Sequence, residues 1–275
     1  MPEFTAIDHE GASTSASHTP AGIGLHHDDL DWDIEAATMG VVVERLRHAS
    51  PQPRLVVTIN AATMWMASLD AALGAVIAAA DLRVADGMGV MWAWRVLGRP
   101  LPERVAGIDL MVELVRAAAE DGRSVYLLGA QTDVVDRLAE VLVEQFPALS
   151  IAGHRDGYFG EADHAEVVRT IAQSGADVLF IGMPSPFKEV WAAEYLDEFG
   201  ADLVLGVGGS FDVLAGFVPR APELMQRFGL EWAWRLICEP RRMWKRYART
   251  NAWLVRALAT AMFRRLRGGR NIADR

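Results

Sequence analysis

Residues 54–60 read Arg-Leu-Val-Val-Thr-Ile-Asn, a short apolar run that ends at a polar side chain. A run of this length, rich in β-branched residues, is typical of a strand with both faces buried. Five similar runs follow it along the chain, and amphipathic helical patterns separate them. Strands that alternate with helices predict an α/β fold with a mostly parallel sheet and helices on both of its faces.

The predicted strands and helices cover most of the chain. The strands are Arg54–Ile59, Leu82–Ala85, Ser124–Leu128, Leu149–Gly153, Asp177–Ile181 and Asp202–Val207. The helical segments are Ile34–His48, Leu69–Ala80, Val90–Leu97, Ile108–Glu120, Val134–Phe146, Ala165–Gln173 and Lys188–Glu198. In open sheets of this kind, ligands bind beyond the carboxyl ends of the strands, so the functional residues are expected in the loops there.

Charge divides the chain into an acidic body and a basic end. The whole chain has a net charge of −9, whereas residues 235–275 carry 12 Lys and Arg against two acids. The basic end also contains tryptophan and tyrosine, a mixture that suits an anionic surface such as a membrane, a nucleic acid or a phosphorylated ligand. We therefore predict a disordered leader at 1–29, one α/β domain at 30–230 and a basic, helical appendage at 231–275.

Composition excludes several classes of protein. The single cysteine, Cys238, excludes an internal disulfide framework and a Cys-x-x-Cys metal site, and it favours a reducing compartment. The apolar stretch at 252–263 is interrupted by Arg256 and is shorter than the ~20 residues that cross a bilayer. No secretory signal is recognisable at the N-terminus. These features predict a cytoplasmic protein that lies on a membrane without spanning it.

Asp86 is the most prominent candidate among the loops. It directly follows the second predicted strand, and the neighbouring Gly87 and Gly89 add no bulk around it. A carboxylate in this position can act as a general base that takes a proton from a hydroxyl nucleophile. Alternatively, Asp86 caps the N-terminus of the next helix, a position that Asp favours. From the residues alone, both interpretations stay open.

The other loops give weaker signals. None contains Gly-x-Gly-x-x-Gly or Gly-x-x-x-x-Gly-Lys, which weakens a dinucleotide-binding or P-loop interpretation. Arg104, in a loop with two prolines, can bind a phosphate through its guanidinium group or can be an ordinary surface arginine. The histidines lack metal-ligand spacing, and Asp31-Trp32-Asp33 lies before the first strand, so the sequence predicts no metal site.

Several motifs follow one another in order along the chain. They are Thr58-x-Asn60, Ala85-Asp86-Gly87-Met88-Gly89, Glu103-Arg104-Val105-Ala106-Gly107-x-Asp109, the Pro-Ser-Pro-x-x-Glu loop ending at Glu189, Gly206-Val207-Gly208-Gly209-Ser210-Phe211-Asp212, Arg220-Ala221-Pro222 and Gly229-Leu230-Glu231-Trp232 … Arg235 … Glu239-Pro240-Arg241-Arg242. Together they resemble the WecG/TagA/CpsF family (family 26) of bacterial glycosyltransferases, over about Leu30–Leu254. So many motifs in one order make the resemblance specific.

The resemblance implies a Rossmann-like domain and a transfer reaction. A sugar, typically N-acetylmannosamine, would move from a UDP-sugar to a sugar on a polyprenyl diphosphate, in the synthesis of a cell-wall polymer, capsule or exopolysaccharide. The transfer would invert the anomeric centre and need no metal or other cofactor. The implied partners are the UDP-sugar, the lipid-linked acceptor, an anionic membrane surface at the inner face of the cell membrane and further copies of the chain, but no nucleic acid.

The resemblance also implies roles for individual residues. Asp86 would be the catalytic base. The implied substrate-binding residues are Thr58, Asn60, Arg104, Lys188, Glu189, Gly208 and Gly209. The arginines implied to stabilise the departing diphosphate are Arg235, Arg241, Arg242 and Arg246.

Lys188 departs from the family pattern, in which glutamine often precedes the glutamate of the Pro-Ser-Pro loop. An amide donates and accepts hydrogen bonds, whereas lysine only donates and carries a charge. We hypothesise that Lys188 contacts a carboxylate or phosphate, as it would if a uronic acid were donor or acceptor.

Two alternatives come from other classes of protein. The first is a non-catalytic Rossmann-like module that binds a nucleotide or nucleic acid, in which Asp86 is dispensable. Nucleic-acid binding of that kind would weaken steeply with salt. The second is a nicotinamide-dependent dehydrogenase, which the missing Gly-x-Gly-x-x-Gly disfavours.

Overall fold

A single parallel sheet forms the centre of the protein. The structure is a computed structural model that describes residues 33–227, 229–238 and 240–270, so the predicted leader at 1–29 lies outside it. The strands are β1 (Arg54–Ile59), β2 (Leu82–Ala85), β3 (Ser124–Gly129), β4 (Ser150–Arg155), β5 (Val178–Gly182) and β6 (Leu203–Gly206). They are all parallel, in the order β2-β1-β6-β5-β3-β4. The six predicted strands are thus confirmed.

Helices connect the strands and extend beyond the last one. They are α1 (Met39–Arg47), α2 (Ala61–Ala67), α3 (Ala71–Ala79), α4 (Met88–Val96), α5 (Gly107–Asp121), α6 (Thr132–Gln145), α7 (His164–Ser174), α8 (Phe187–Glu194), α9 (Ser210–Leu214), α10 (Glu223–Arg227), α11 (Glu231–Cys238) and α12 (Pro240–Arg270). Between β1 and β2 the sequence predicted one helix, whereas the structure has two, α2 and α3. The first of them begins directly after β1, where a loop was expected.

Alternating side chains of the strands supply two separate cores. Leu55, Val57 and Ile59 of β1 lie in one core, whereas Val56 lies in the other, as the two-residue period of a strand requires. Helices α2, α3, α4, α7, α8 and α12 cover the first face, and α1, α5, α6 and α9 cover the second. The prediction of helices on both faces is therefore confirmed.

The C-terminal helix α12 is part of the first core. Trp253, Leu254 and Ala257 on one side of α12 are buried in the same cluster as Met64 of α2 and Trp94 of α4. Burial of large apolar side chains of this kind stabilises a fold by about 1.5–3 kcal/mol each. The boundary predicted at residue 230 stays a prediction, but the segment after it shares its packing with the sheet.

A helix needs about 20 mostly apolar residues to cross a bilayer. Within residues 33–270 as described, no single helix is both long and apolar enough to cross a membrane. The bent pair α2–α3 reaches that threshold only when its two helices are taken together.

Candidate active site

The register of the sheet brings Asn60 and Asp86 side by side. Ile59 of β1 pairs with Ala85 of β2, so the residue that follows each strand emerges at the same carboxyl edge. The backbone N–H of Asp86 donates to the carbonyl oxygen of Ile59 at 2.9 Å, which extends the pairing by one step. Two candidate residues that are far apart in the sequence are therefore neighbours because their strands are adjacent.

The Asp86 carboxylate does not cap the helix that follows it. Helix α4 has Gly87 at its N-cap, without a side-chain hydrogen bond. Instead, Oδ1 of Asp86 accepts a hydrogen bond of 3.0 Å from the backbone N–H of Gly107, the first residue of α5. The capping interpretation is therefore wrong for α4, because the carboxylate turns towards a different helix.

The side chain of Asn60 is oriented by helix α2. Its Oδ1 accepts hydrogen bonds from the backbone N–H groups of Ala62 and Thr63, at 3.0 and 3.1 Å. With the carbonyl oxygen of the amide used as an N-cap, the amide nitrogen is left to face Asp86, and Nδ2 lies 3.5 Å from Asp86 Oδ2. Two donors thus hold the carboxylate of Asp86, which is only partly buried and has lone pairs left for a proton.

Arg104 is not an ordinary surface arginine. Its Nη1 donates to the backbone carbonyl oxygen of Asp86 at 3.3 Å. The same guanidinium group pairs with Glu231 through Nη1 and Nη2, at 3.2 and 3.4 Å, and the Arg104 side chain is 17% exposed. The structure therefore joins Arg104 to the main chain of the candidate base and to the first residue of α11.

Lys188 and Glu189 form a buried ion pair at the start of α8. The Lys188 ammonium group donates to a carboxylate oxygen of Glu189 and, at 2.7 Å, to Oγ of Ser185. Ser185 Oγ in turn donates to Glu189 Oε1 at 2.7 Å. Because Glu189 neutralises the charge of Lys188, the basis for the hypothesis that Lys188 recruits a uronate or phosphate is weakened.

Thr58 shares a small cleft with this ion pair. The cleft lies between β1, β6 and α8, and its lining includes Thr58, Lys188, Glu189 and Gly206. A Cβ atom at position 206 would lie 3.1 Å from Cδ and Cε of Lys188, so the absence of a side chain there makes room for the lysine. Among the described residues, the second carboxylate oxygen of Glu189 has no hydrogen-bond partner although it is buried.

The glycines after β6 lie beside the same lysine. Gly208 has a φ of +54°, a conformation that glycine adopts without a steric penalty, and a Cβ there would lie 4.0 Å from Lys188 Cε. Gly209 is exposed and is the N-cap residue of α9. The structure therefore brings both predicted glycines to the same edge of the sheet as Thr58.

The C-terminal segment, which we define as residues 221–270 where they are described, lies against the start of α4, directly after the loop that carries Asp86. Gly229, with a φ of +66°, packs on the Met88 side chain, and a Cβ atom at Gly89 would lie 3.1 Å from Cδ2 of Leu254. The indole N–H of Trp234 donates to the carbonyl oxygen of Pro219 at 3.1 Å, a contact that holds α11 against the loop between α9 and α10. Helices α11 and α12 therefore form one side of the candidate site.

The predicted leaving-group arginines are on these two helices. Arg235, Arg241 and Arg246 have exposed side chains, whereas the side chain of Arg242 lies outside the described part of the structure. Among the described residues, the hydrogen-bond partners of Asp86 are Ile59, Asn60, Arg104 and Gly107. None of the four predicted arginines is thus described in contact with the candidate base.

The described residues contain no group of three or more His, Cys, Asp or Glu side chains placed to hold a metal ion. The role of Glu231, which pairs with Arg104 from 127 positions away, has no signal in the sequence. The contact of Asp86 with the backbone of Gly107 was not predicted from the sequence either.

Comparison with known proteins identifies the family. Residues 27–268 match the profile of the Glycosyl transferase WecG/TagA/CpsF family. A protein of Bacillus spizizenii named N-acetylglucosaminyldiphosphoundecaprenol N-acetyl-beta-D-mannosaminyltransferase is 37% identical over 191 residues, which are 70% of this chain and 73% of that protein. A Staphylococcus aureus protein of the same name is 34% identical over 226 residues, 81% of this chain and 87% of its own length. The chain is therefore a glycosyltransferase that belongs to the WecG/TagA/CpsF family.

Proposed function

We propose that this enzyme transfers N-acetylmannosamine from a UDP-sugar to an N-acetylglucosaminyl-diphosphoundecaprenol acceptor. The names of the relatives support the transferred sugar and the acceptor. The observation that carries the proposal is the half-buried carboxylate of Asp86, which Gly107 and Asn60 hold at the carboxyl edge of the sheet. This is the edge at which open α/β sheets bind their ligands.

In the proposed reaction Asp86 is a general base. It removes the proton of the acceptor hydroxyl while the hydroxyl oxygen forms a bond to the anomeric carbon of the donor. The bond between that carbon and the diphosphate oxygen breaks at the same time, and UDP leaves with the electron pair. Because attack and departure occur on opposite sides of the carbon, this single displacement inverts its configuration.

The neighbouring residues serve binding and orientation in this proposal. Asn60 orients the carboxylate, and Thr58 contacts a substrate sugar at the end of β1. Gly208 and Gly209 let the diphosphate approach the backbone after β6, where free N–H groups can bind an anion. The Lys188–Glu189 pair shapes the cleft beside Thr58 as a neutral unit.

Cationic side chains have to meet the charge that develops on the leaving diphosphate. We assign this role to Arg235, Arg241, Arg242 and Arg246, which occupy α11 and the first turns of α12. Arginine suits it because the planar guanidinium group binds two phosphate oxygens at once. The transfer then needs no metal ion, a point that an assay in EDTA tests directly.

A lipid-linked acceptor requires contact with the membrane, and α12 has a face that fits it. Trp244, Val255 and Met262 are 55%, 67% and 47% exposed, and their spacing puts them on one side of the helix. Arg249 and Arg256 are also exposed, on a flank of α12 about a third of a turn away from this side, where they can bind lipid phosphates. We propose that the enzyme lies on the inner face of the cell membrane through α12. Self-association stays a prediction, to be measured by analytical ultracentrifugation.

The proposed function is tested by measuring UDP release. The full chain is incubated in EDTA with a panel of UDP-sugars, with and without an N-acetylglucosamine linked to an alkyl or polyprenyl diphosphate. We expect release with UDP-N-acetylmannosamine that depends on the acceptor and persists in EDTA. Acceptor-dependent release from a different donor would correct the sugar. No release from any pair, by a folded protein that binds UDP in calorimetry, would contradict the proposed reaction.

A further inference from the structure

Glu231 connects the C-terminal segment to the residue proposed as the base. Its carboxylate, on the first residue of α11, accepts two hydrogen bonds from Arg104, and Arg104 donates a third to the backbone of Asp86. The side chains of Arg104 and Glu231 are 17% and 25% exposed, although the two residues are 127 positions apart in the chain. The guanidinium group of Arg104 thus connects the carboxylate of Glu231 in α11 directly to the backbone of Asp86.

The guanidinium group of Arg104 still has donors to offer. It carries five N–H groups. Nη1 uses two of them, on Asp86 and Glu231, and Nη2 uses one, on Glu231. The N–H of Nε and the second N–H of Nη2 have no acceptor among the described residues. These two donors lie on the same edge of the planar group, which is the edge that binds two oxygens of one ligand.

Other contacts of the same segment reach the same loop. Gly229, two residues before Glu231, packs on Met88, and Leu254 of α12 approaches Gly89. The start of α4, directly after the loop that carries Asp86, is therefore contacted by the C-terminal segment at two points, in addition to the link from Glu231 through Arg104. If the ion pair between Glu231 and Arg104 breaks, the loop that carries Asp86 loses one of its contacts with the C-terminal segment, and the guanidinium group of Arg104 is free to rotate.

We propose that Glu231 is a positioning residue, which fixes the orientation of Arg104 and of its free edge and makes the geometry around Asp86 depend on the seating of α11. Its catalytic consequence rests on the proposed function. Its structural consequence, coupled order in residues 86–89, 103–107 and 231–238, does not. The ligand class for the free edge of Arg104 is an oxygen-rich one, a phosphate or the vicinal oxygens of a sugar.

The activity test uses Glu231→Ala, Arg104→Ala and the double variant of the full chain. Because Glu231 acts through Arg104, we expect Glu231→Ala to lower kcat about tenfold or more in the wild-type background and to change it less than twofold in the Arg104→Ala background. Independent effects would multiply instead, and that result overturns the proposal. Glu231→Gln keeps one acceptor oxygen and is expected to fall between wild type and Glu231→Ala.

The structural test is hydrogen exchange on the same variants, without substrate. We expect Glu231→Ala to raise exchange in residues 86–89 and 103–107 as well as in α11, and Glu231→Gln to do so more weakly. The control is Glu223→Gln, which changes an exposed acid in α10 of the same segment and should alter none of these peptides. Unchanged exchange at 86–89 and 103–107 in Glu231→Ala refutes the coupling even if the enzyme proves to act on another substrate.

Discussion

Two ion pairs flank the candidate site, and they are built in different ways. Lys188 and Glu189 are adjacent in sequence, belong to one helix and have side chains that are 6% and 3% exposed. Arg104 and Glu231 are 127 positions apart in the chain and are partly open to solvent. The buried Lys188–Glu189 pair, here called the sealed pair, forms whenever α8 packs on the sheet. The Arg104–Glu231 pair, here called the bridging pair, forms only when the C-terminal segment is in place. Of the two, only the bridging pair therefore depends on the docking of that segment.

The largest loss of activity is expected from a change at Asp86, whose backbone carbonyl accepts a hydrogen bond from Arg104 of the bridging pair. Asp86→Asn removes the base but leaves an oxygen that can accept the hydrogen bond from Gly107, so the variant should fold. We expect the rate of UDP release to fall by a factor of about 10²–10⁴, the usual contribution of a general base. The matched control is Asp81→Asn, at the other end of β2, where Asp81 accepts a hydrogen bond from the backbone of Leu55. Substantial activity in Asp86→Asn would remove Asp86 as the base.

Breaking the sealed pair should cost stability. Glu189→Ala leaves the Lys188 ammonium group buried with Ser185 as its remaining partner, and removal of one member of a buried pair costs about 3–5 kcal/mol. The free energy of unfolding in urea measures this loss. A second change, Lys188→Met, removes the stranded charge and should restore most of the stability.

Glu194→Ala, an exposed glutamate of the same helix, is the matched control for the sealed pair. It should change the free energy of unfolding by less than about 1 kcal/mol, as surface substitutions usually do. If Glu189→Ala lowers the free energy of unfolding no more than this control does, the buried Lys188–Glu189 pair is not the stronger contributor to stability that its burial indicates. Glu231→Ala is expected to lie between them in stability because its partner stays partly hydrated.

The smallest effect is expected for the sugar preference of Lys188→Gln. Since Glu189 already neutralises Lys188, a glutamine that donates to Glu189 should leave the ratio of kcat/KM for uronate and neutral donors within about threefold, less than ~0.7 kcal/mol. Competing donors in one assay measure this ratio directly. A tenfold or larger shift towards the neutral sugar would instead revive the hypothesis that Lys188 recruits a uronate.

The strands and the position of Asp86 could be predicted from the sequence because both depend on local patterns. Apolar runs mark the strands, and the rule for open sheets marks the loops that follow them. Helix α2 was missed because residues 61–67 have no apolar period that stands apart from the strand before them. Its start depends on the side chain of Asn60, which is also a candidate site residue.

Neither ion pair could be predicted from the sequence. Neighbouring residues on a helix do not normally face each other, so the adjacency of Lys188 and Glu189 gave no reason to expect a pair. They meet because both converge on Ser185 in the turn before α8. Arg104 and Glu231 are 127 positions apart in the chain, and the packing of α12 on α2 and α4, and of α11 on α12, brings them together.

The burial of Trp253, Leu254 and Ala257 has a consequence for how the enzyme is made. Helix α12 is synthesised after every other described element, yet it completes the core over α2 and α4. During translation, Met64 and Trp94 therefore remain uncovered until α12 has been synthesised. Until then, an apolar surface of the nascent chain is exposed, where chaperones can bind and aggregation can begin. For the same reason, Glu231 cannot pair with Arg104 until α11 has been synthesised. A partly synthesised chain therefore lacks the complete site and is not expected to turn over its substrates.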